Sequence, residues 1–136
     1  MQVRWLGPGT ELPSWAEALD QAALGSIWGP LEEEEYLGIL PECAFIRWRL
    51  VPVVNEAELL RLAVSTEARR QGHARQLLSD SEVMLASNGI TELHLEVRVS
   101  NIAARALYES VGWRFQGIRK AYYRDGEDAA LYRRDL

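Results

Sequence analysis

The sequence predicts a single α/β domain with a mixed sheet, and three observations lead to that prediction. Strand-like and helix-like segments alternate between residues 58 and 111, which is the order expected of an α/β fold. The helix-like segments carry apolar residues along one side, as helices that cover a sheet do. The chain has 136 residues, of which 48% are hydrophobic and 26% charged, and this size and composition suit one globular domain.

The N-terminal third is predicted to contain two helices, and residues 2–6 are a candidate for one further strand. Ser14-x-x-Glu17 resembles a capping box, and apolar residues follow it at helical spacing, so we expect a first helix near 14–25. Four consecutive acids, Glu32 to Glu35, suit the positive end of a helix dipole and predict a second helix over 31–39. The alternative is that these acids form a lip that attracts a cationic substrate.

Two strands and the clearest helix of the chain come next. The segments 43–51 and 58–64 have strand composition, with Asn55 near a hairpin turn between them. The segment 72–88 is predicted to be a helix that ends at Gly89. Its apolar stripe consists of Ala74, Leu77, Leu78, Met84 and Leu85.

The C-terminal third is predicted to fold as a strand, a helix and two further strands. Apolar and polar residues alternate over 92–99, with Glu96 on the polar side. The helix over 101–111 is expected to direct four side chains inward: Ala103, Ala106, Leu107 and Val111. The last two strands are expected at 113–123 and 129–133, joined by a turn at Asp125-Gly126.

Composition and charge exclude several classes of protein. The net charge of −5, from 15 basic and 20 acidic residues, argues against general nucleic-acid binding but permits a basic substrate. No apolar run approaches ~18 residues, so no membrane span is expected, and the N-terminus lacks the pattern of a secretion signal. Cys43 is the only cysteine and has no CxxC partner for metal or redox chemistry. We therefore expect a cytoplasmic protein without a metal site.

The segment from Arg69 to Arg75 has the composition of an anion-binding helix start. The first turn of a helix leaves backbone N–H groups unpaired at a positive dipole end. Small residues at Gly72 and Ala74 let a phosphate approach those groups, and Arg69, Arg70 and Arg75 add positive charge. The segment contains neither a Walker A sequence nor a G-x-G-x-x-G fingerprint. An ordinary polar helix start is the alternative interpretation.

This segment resembles the acyl-CoA loop of the GNAT superfamily of N-acetyltransferases, Q/R-x-x-G-x-G/A, which Arg69-x-x-Gly72-x-Ala74 matches. The run LHLEVRVSNIAARALYESVGW and the later segments GIRKAYY and EDAALY are similar to the RimI-like branch, which acetylates the N-terminal alanine of a ribosomal protein. The resemblance covers roughly residues 56–133. It implies a single GNAT-type domain over residues 1–136, with a mostly antiparallel central sheet flanked by helices.

The resemblance also implies catalytic roles for Glu96 and Tyr108. Glu96 matches the general base, which is needed because a free α-amino group has a pKa of about 8 and is largely protonated at neutral pH. Tyr108 matches the acid that protonates the departing CoA thiolate. The alternatives are an ordinary acid on the polar side of a strand and a tyrosine of the core.

The acetyl-CoA contacts implied by the resemblance lie in three segments. The backbone of Leu62 to Val64 should pair with the pantetheine arm, with the N–H of Val64 as oxyanion donor. Asn101 matches a residue beside the thiolate, and a helix N-cap is its alternative role. His73 is expected to face outward as a bystander or minor donor. The whole implied set is Leu62, Ala63, Val64, Arg69, Arg70, Gln71, Gly72, His73, Ala74, Arg75 and Asn101.

Tyr122 and Tyr123 match a tyrosine pair that lies near the acceptor peptide in the RimI-like branch. Simple packing within a strand explains the pair equally well, so both interpretations remain open.

Three functions remain under consideration. The leading one is direct transfer of an acetyl group from acetyl-CoA to a protein N-terminal amine, such as the N-terminal alanine of a ribosomal protein. No cysteine lies in the matched motifs, so an acyl-cysteine intermediate is not indicated. A related enzyme would act on lysine, a polyamine or another small amine. A non-catalytic acyl-CoA-binding module is the third, although such a module needs neither Glu96 nor Tyr108.

Overall fold

The computed structural model describes residues 2–26 and 28–136, and its centre is a seven-stranded sheet. The strands are β1 (Arg4–Leu6), β2 (Glu35–Leu40), β3 (Ala44–Val51), β4 (Glu56–Val64), β5 (Glu92–Arg98), β6 (Arg114–Arg119) and β7 (Ala129–Asp135). The helices are α1 (Ser14–Leu24), α2 (His73–Ser87) and α3 (Ile102–Ser110). The strand order is β1-β2-β3-β4-β5-β7-β6. This arrangement confirms the predicted α/β fold and the further strand at the N-terminus.

The sheet is antiparallel except where β4 meets β5. These two parallel strands pair over three positions only, Glu56 with Glu92, Ala57 with Leu93, and Glu58 with His94. Beyond Glu58, β4 runs on to Val64 and β5 runs on to Arg98, and no further pair between them occurs in the described residues. The two strands therefore open a gap in the middle of the sheet.

The helices cover the two faces of the sheet unequally. The larger core lies on the side of α2 and α3 and includes Trp48, whose indole N–H donates to the Ser81 hydroxyl at 2.9 Å. A smaller cluster lies under α1 and includes Ala16, Leu37 and Phe45. None of the helices in the described part of the chain has the length and apolar character to cross a bilayer.

A β-bulge turns β4 over along its length. Arg61 pairs with Arg47 and Leu59 pairs with Trp48, so Leu60 has no partner on β3. An extra residue of this kind exchanges the two faces of a strand. Leu59 accordingly packs in the larger core, whereas Ala63 packs in the cluster under α1.

The predicted helix over 31–39 is wrong, because β2 occupies most of that segment. The acids Glu32 to Glu34 lie in a turn, with Glu34 at φ 65°, and no helix dipole faces them. Glu35 is buried and forms an ion pair with Arg47 at 2.5 Å. Pairing of β2 with both β1 and β3 prevails over the local preference of an acidic run for a helix start.

Three smaller predictions about element ends and faces also need correction. The N-cap of α1 is Pro13, and no side chain caps the helix, so Ser14 does not form a capping box. In α3 the predicted inward residues Ala103 and Ala106 are exposed. The face toward the core consists of Ala104, Leu107, Tyr108 and Val111. Burying the large ring of Tyr108 sets the rotation of this helix, because small alanines gain little from burial.

The strand expected over 113–123 is shorter in the structure. It ends at Arg119, because Ala121 has a positive φ of 50° that is incompatible with an extended strand. Tyr122 and Tyr123 therefore lie in the connection between β6 and β7, and their packing is not that of a strand. The remaining helices and strands were predicted to within a few residues of their ends.

Candidate active site

A cavity of about 560 Å³ lies between the end of β4, the start of α2 and α3. Most of the implied acetyl-CoA contacts line this cavity, which we call the cofactor cavity. Its lining residues are Leu62, Val64, Ala68, Arg69, Arg70, Gly72, His73, Ala74, Arg75, Ala103, Ala104, Leu107 and Tyr108. The bulge at Leu60 explains how Leu62 and Val64 come to face this side of the sheet.

The loop before α2 has the geometry of an anion site. Gly72 is the N-cap of α2 with φ 80°, a conformation that glycine adopts without strain, and no side chain caps the helix. The N–H groups of the first turn are therefore left for a ligand, at the positive end of the helix dipole. Arg69, Arg70 and Arg75 surround this helix start and favour a phosphate there.

Three of the implied cofactor residues, Ala63, Gln71 and Asn101, do not line the cofactor cavity. Ala63 is buried under α1, so only its backbone can face the gap between β4 and β5. Gln71 is exposed and donates to the Glu67 carbonyl at 3.4 Å. His73 was expected to face outward, but it is half-buried and lines the cofactor cavity. Its buried Nε2 has no hydrogen-bond partner among the described residues, because the first-turn side chain leans back toward the helix start.

A second cavity of about 460 Å³ lies at the gap between β4 and β5, and we call it the reaction cavity. Both predicted catalytic residues, Glu96 and Tyr108, line it, as does Asn101. Leu62, Ala104 and Tyr108 line the cofactor cavity as well, so the two cavities adjoin at these side chains. The other lining residues are Leu24, Ser26, Leu59, Leu60, Arg61, Val97, Arg98 and Tyr123.

Glu96 lies on the polar side of β5, and its surroundings favour the protonated carboxyl. Partial burial is the largest cause that raises its pKa, followed by the negative charge of Glu58 and a hydrogen bond with Glu58. The cation of Arg119 and, more weakly, His94 act in the opposite direction. A carboxyl with a raised pKa is a stronger base than an exposed glutamate, which suits a group that must accept a proton from an amine.

Tyr108 is buried, with 6% of its surface exposed. Its ring centroid lies 5.9 Å from that of Trp113 and 6.4 Å from that of Tyr132, so the core orients the phenol. Burial, and to a smaller extent Tyr123, raise the pKa of Tyr108 above its ordinary value of 10.0. The hydroxyl therefore keeps its proton at neutral pH and is available as a donor.

Asn101 is the N-cap of α3, as the structural alternative predicted. Its Oδ1 accepts a hydrogen bond from the backbone N–H of Ala104 at 3.1 Å. The capping bond uses the oxygen only, so the amide nitrogen of Asn101 remains as the donor for any contact with the cofactor.

The connection between β6 and β7 forms one side of the site, and Arg98 holds it in place. Arg98 bonds to Asp125 and to Glu127, each at 2.9 Å, and lies 4.2 Å from the centroid of the Tyr123 ring. The rings of Tyr122 and Tyr123 meet edge to face at 5.0 Å. Burial is the largest cause that raises the pKa of both tyrosines, and the charge of Glu96 contributes to each. Tyr123 lines the reaction cavity together with Glu96.

The opposite side of the reaction cavity includes a buried ion pair that sequence reasoning missed. Arg61 on β4 forms an ion pair with Asp20 of α1, with 2.8 Å between Nε and Oδ1, and both side chains are buried. Arg61 also donates to the Ser26 hydroxyl at 3.2 Å and lies 4.8 Å from the Trp28 ring centroid. An acid on an otherwise apolar helix face and a basic residue within an apolar strand were the only signals available.

A family model described as the acetyltransferase (GNAT) family matches residues 4–113 of this sequence. The chain belongs to that family. The family model covers β1 through α3, which include the loop before α2 and both predicted catalytic residues.

Two curated relatives each match more than half of the chain. The ribosomal protein bS18-alanine N-acetyltransferase of Escherichia coli strain K12 is 44% identical over 81 residues, which are 58% of this chain and 55% of that relative. An N-alpha-acetyltransferase of Saccharolobus solfataricus is 40% identical over 89 residues, which are 65% of this chain and 53% of that relative. Each match thus spans about half the length of the curated relative.

Solved structures match nearly the whole chain. The crystal structure of the ribosomal-protein-S18-alanine N-acetyltransferase from Escherichia coli matches with a TM-score of 0.77 and 30% identity, over 99% of this chain and 94% of that chain. A GNAT family acetyltransferase from Elizabethkingia anophelis, solved with acetyl-CoA bound, has a TM-score of 0.73 at 19% identity, over 99% of this chain and 97% of that chain. The second similarity shows a common fold.

Proposed function

We propose that this protein transfers an acetyl group from acetyl-CoA to the N-terminal amine of a protein. One observation carries the proposal: Glu96 and Tyr108 line a single cavity that adjoins the cofactor cavity. A base and a hydroxyl donor on opposite sides of a thioester are the groups that aminolysis needs. A module that only binds acyl-CoA has no use for this arrangement.

In this proposal the start of α2 holds the pyrophosphate of acetyl-CoA. The uncapped N–H groups after Gly72 donate to phosphate oxygens, and Arg69, Arg70 and Arg75 neutralise their charge. The free edge of β4 beyond Glu58 offers backbone groups to the pantetheine amides, as an added strand would. The backbone N–H of Val64 then donates to the thioester carbonyl.

Glu96 takes a proton from the acceptor amine, directly or through a water. The amine nitrogen forms a bond to the carbonyl carbon, and the negative charge that develops on the oxygen is met by the Val64 N–H. As the carbon–sulfur bond breaks, Tyr108 donates a hydrogen bond or its proton to the departing sulfur. Because burial raises the pKa of Tyr108, its proton is retained until a thiolate develops.

Transfer in one ternary complex requires no covalent acyl-enzyme. Cys43, the cysteine of this sequence, lies in the turn between β2 and β3 and does not line either cavity. Every proton transfer proposed here uses a side chain of the enzyme, so we further propose that the reaction needs no metal ion.

The acceptor is proposed to be an N-terminal alanine, as on a ribosomal protein. The named activity of the Escherichia coli relative supports this choice, since the structural similarity to that enzyme extends over 99% of this chain.

Release of CoA thiol from acetyl-CoA, measured with peptides that differ in one feature each, tests the proposed acceptor. A peptide that begins with Ala and contains an internal Lys should support turnover. The same peptide with a blocked N-terminus should not, although its Lys side chain remains free. Turnover with the blocked peptide would show that the acceptor is a lysine side chain. If none of the amines supports turnover, the protein is a binding module and the proposed function is wrong.

A further inference from the structure

Glu96 also lines a third cavity, of about 430 Å³, which we call the charged cavity. Neither Tyr108 nor Asn101 is among the described residues that line it. Glu96 therefore stands between the reaction cavity, where an amine would lose a proton, and a separate polar opening. The residues that line the charged cavity are Val51, Glu56, Ala57, Glu58, His94, Leu95, Glu96, Gln116, Leu131, Tyr132 and Arg133.

Glu58 is the carboxyl that meets Glu96 in the charged cavity. It is the last residue of β4 that pairs with β5, so its side chain lies where the two strands begin to separate. Both carboxyl groups line the charged cavity, and after burial the negative charge of Glu58 is the next largest cause that raises the pKa of Glu96. Two negative charges that face one cavity repel each other, and a proton shared between the two groups would relieve that repulsion.

Arg49 fixes the other side of Glu58. Its guanidinium bonds to Glu58 Oε2 at 2.5 Å across the β3–β4 pair. The pair is partly exposed, with 48% of the Arg49 side chain and 29% of the Glu58 side chain accessible. Glu58 is thus held by a cation, opposes Glu96, and has access to solvent.

The other charged groups near Glu96 are mostly engaged elsewhere. His94 Nε2 contacts Glu56 at 2.9 Å and Glu92 at 2.7 Å, and Arg133 bonds to Glu92 and Asp135. Arg119 faces Glu96 from β6 and its guanidinium lies 4.7 Å from the Tyr122 ring centroid. Among the described residues, the other titratable or charged groups around the pair include Arg49, Glu56, Arg61, Glu92, His94, Arg98, Tyr108, Arg119, Tyr122, Tyr123, Tyr132 and Arg133.

We propose that Glu58 acts through Glu96 as its proton partner, so that the base is a pair of carboxyl groups sharing one proton. When the amine N–H bond breaks, an O–H bond forms on Glu96. The proton held between the two groups then leaves from Glu58 to water in the charged cavity. The pair ends each turnover with one proton, as it began, and it regenerates the base without passing a proton back through the reaction cavity.

The proposal rests on Glu96 being the base of the proposed reaction. It predicts the direction in which the acid limb of the pH profile moves when Glu58 is changed. A neighbouring negative charge raises the pKa of a carboxyl, so the acid limb of the pH profile lies higher than for an isolated glutamate. Glu58→Gln removes that charge, so the acid limb of kcat/KM should move to lower pH. The weaker base should also lower the plateau, by about 10-fold or less.

Three further variants separate proton sharing from simple loss of structure. Glu58→Asp keeps the charge and should restore much of the wild-type profile. Arg49→Gln removes the cation on Glu58 and should move the acid limb to higher pH, opposite to Glu58→Gln. Glu56→Gln is the matched control, because it changes a neighbouring acid of the same strand that bonds to His94, and its acid limb should stay in place.

Carbon-13 NMR of the side-chain carboxyls tests the pair without any acceptor. In the wild type, the resonances of Glu58 and Glu96 should titrate together in two coupled steps, and Glu58→Gln should move the Glu96 midpoint to lower pH. Independent titrations, or an unmoved Glu96 in Glu58→Gln, would overturn the proposal. If the wild type acetylates no amine, the proposed function fails, and this titration still decides whether the pair exists.

Discussion

The two sides of the active site are assembled in different ways. The cofactor side comes largely from consecutive residues, Arg69 to Arg75, placed by one strand end and one helix start. The acceptor side draws on the end of α1, the middle of β4, β5 and the connection after β6. Because backbone N–H groups are proposed to bind the phosphate, the cofactor side depends on local conformation. The acceptor side depends on side chains that only the complete fold brings together. Substitutions on one side should therefore change the binding of one substrate more than that of the other.

The largest effect is expected at Glu96, on the acceptor side of the site. Glu96→Gln keeps the size of the side chain and removes the base, so kcat/KM should fall about 10²- to 10⁴-fold. The affinity for acetyl-CoA, measured by calorimetry, should change little, because Glu96 does not line the cofactor cavity. Unchanged turnover would remove Glu96 as the base.

Tyr108→Phe should lower kcat by about 10²-fold, the lower end of the usual range for a proton donor. The ring and its contacts with Trp113 and Tyr132 remain, so stability should be retained, which thermal unfolding checks. An acetyl donor with a better leaving group should regain part of the rate. If kcat is unaffected, the hydroxyl of Tyr108 has no part in sulfur departure.

Gly72→Ala should damage the cofactor side alone. The left-handed backbone at φ 80° is strained for alanine, by about 1 kcal/mol or more, and a shifted helix start misplaces the N–H donors. We expect the Kd for acetyl-CoA to rise about 10-fold, with little change in the KM for peptide. Gly89→Ala is the matched control, since it has φ 79° at the other end of α2 and should lose similar stability without losing affinity.

Asp20→Asn should affect the acceptor side and the stability of the fold. It leaves Arg61 buried without its partner, and breaking a buried ion pair costs about 3–5 kcal/mol. Chemical denaturation should show this loss. Below the unfolding transition, the KM for peptide should rise more than the Kd for acetyl-CoA. An equal rise in both constants would contradict the separation of the two sides.

Sequence reasoning succeeded where the relevant interactions are short-range. The helix over 72–88, the alternation over 92–99 and the turn near Asn55 were all visible as local patterns, and the structure confirms them. The same reasoning failed over 31–39, where an acidic run looked like a helix start. There β2 is held by strands on both sides, and Glu35 is buried against Arg47, which comes later in the chain. No pattern among neighbouring residues indicates that Glu35 has a partner so far along the chain.

By itself the sequence determined the fold class, the position of the glycine-led start of α2 and the candidates Glu96 and Tyr108. These follow from hydrophobic period, glycine placement and motif resemblance, all of which are properties of neighbouring residues. Only the tertiary structure decided that Glu58 meets Glu96, that Asp20 meets Arg61, and that the bulge at Leu60 turns β4 between two cavities. Those contacts join residues distant in the chain, and their existence depends on strand register and on the separation of β4 from β5.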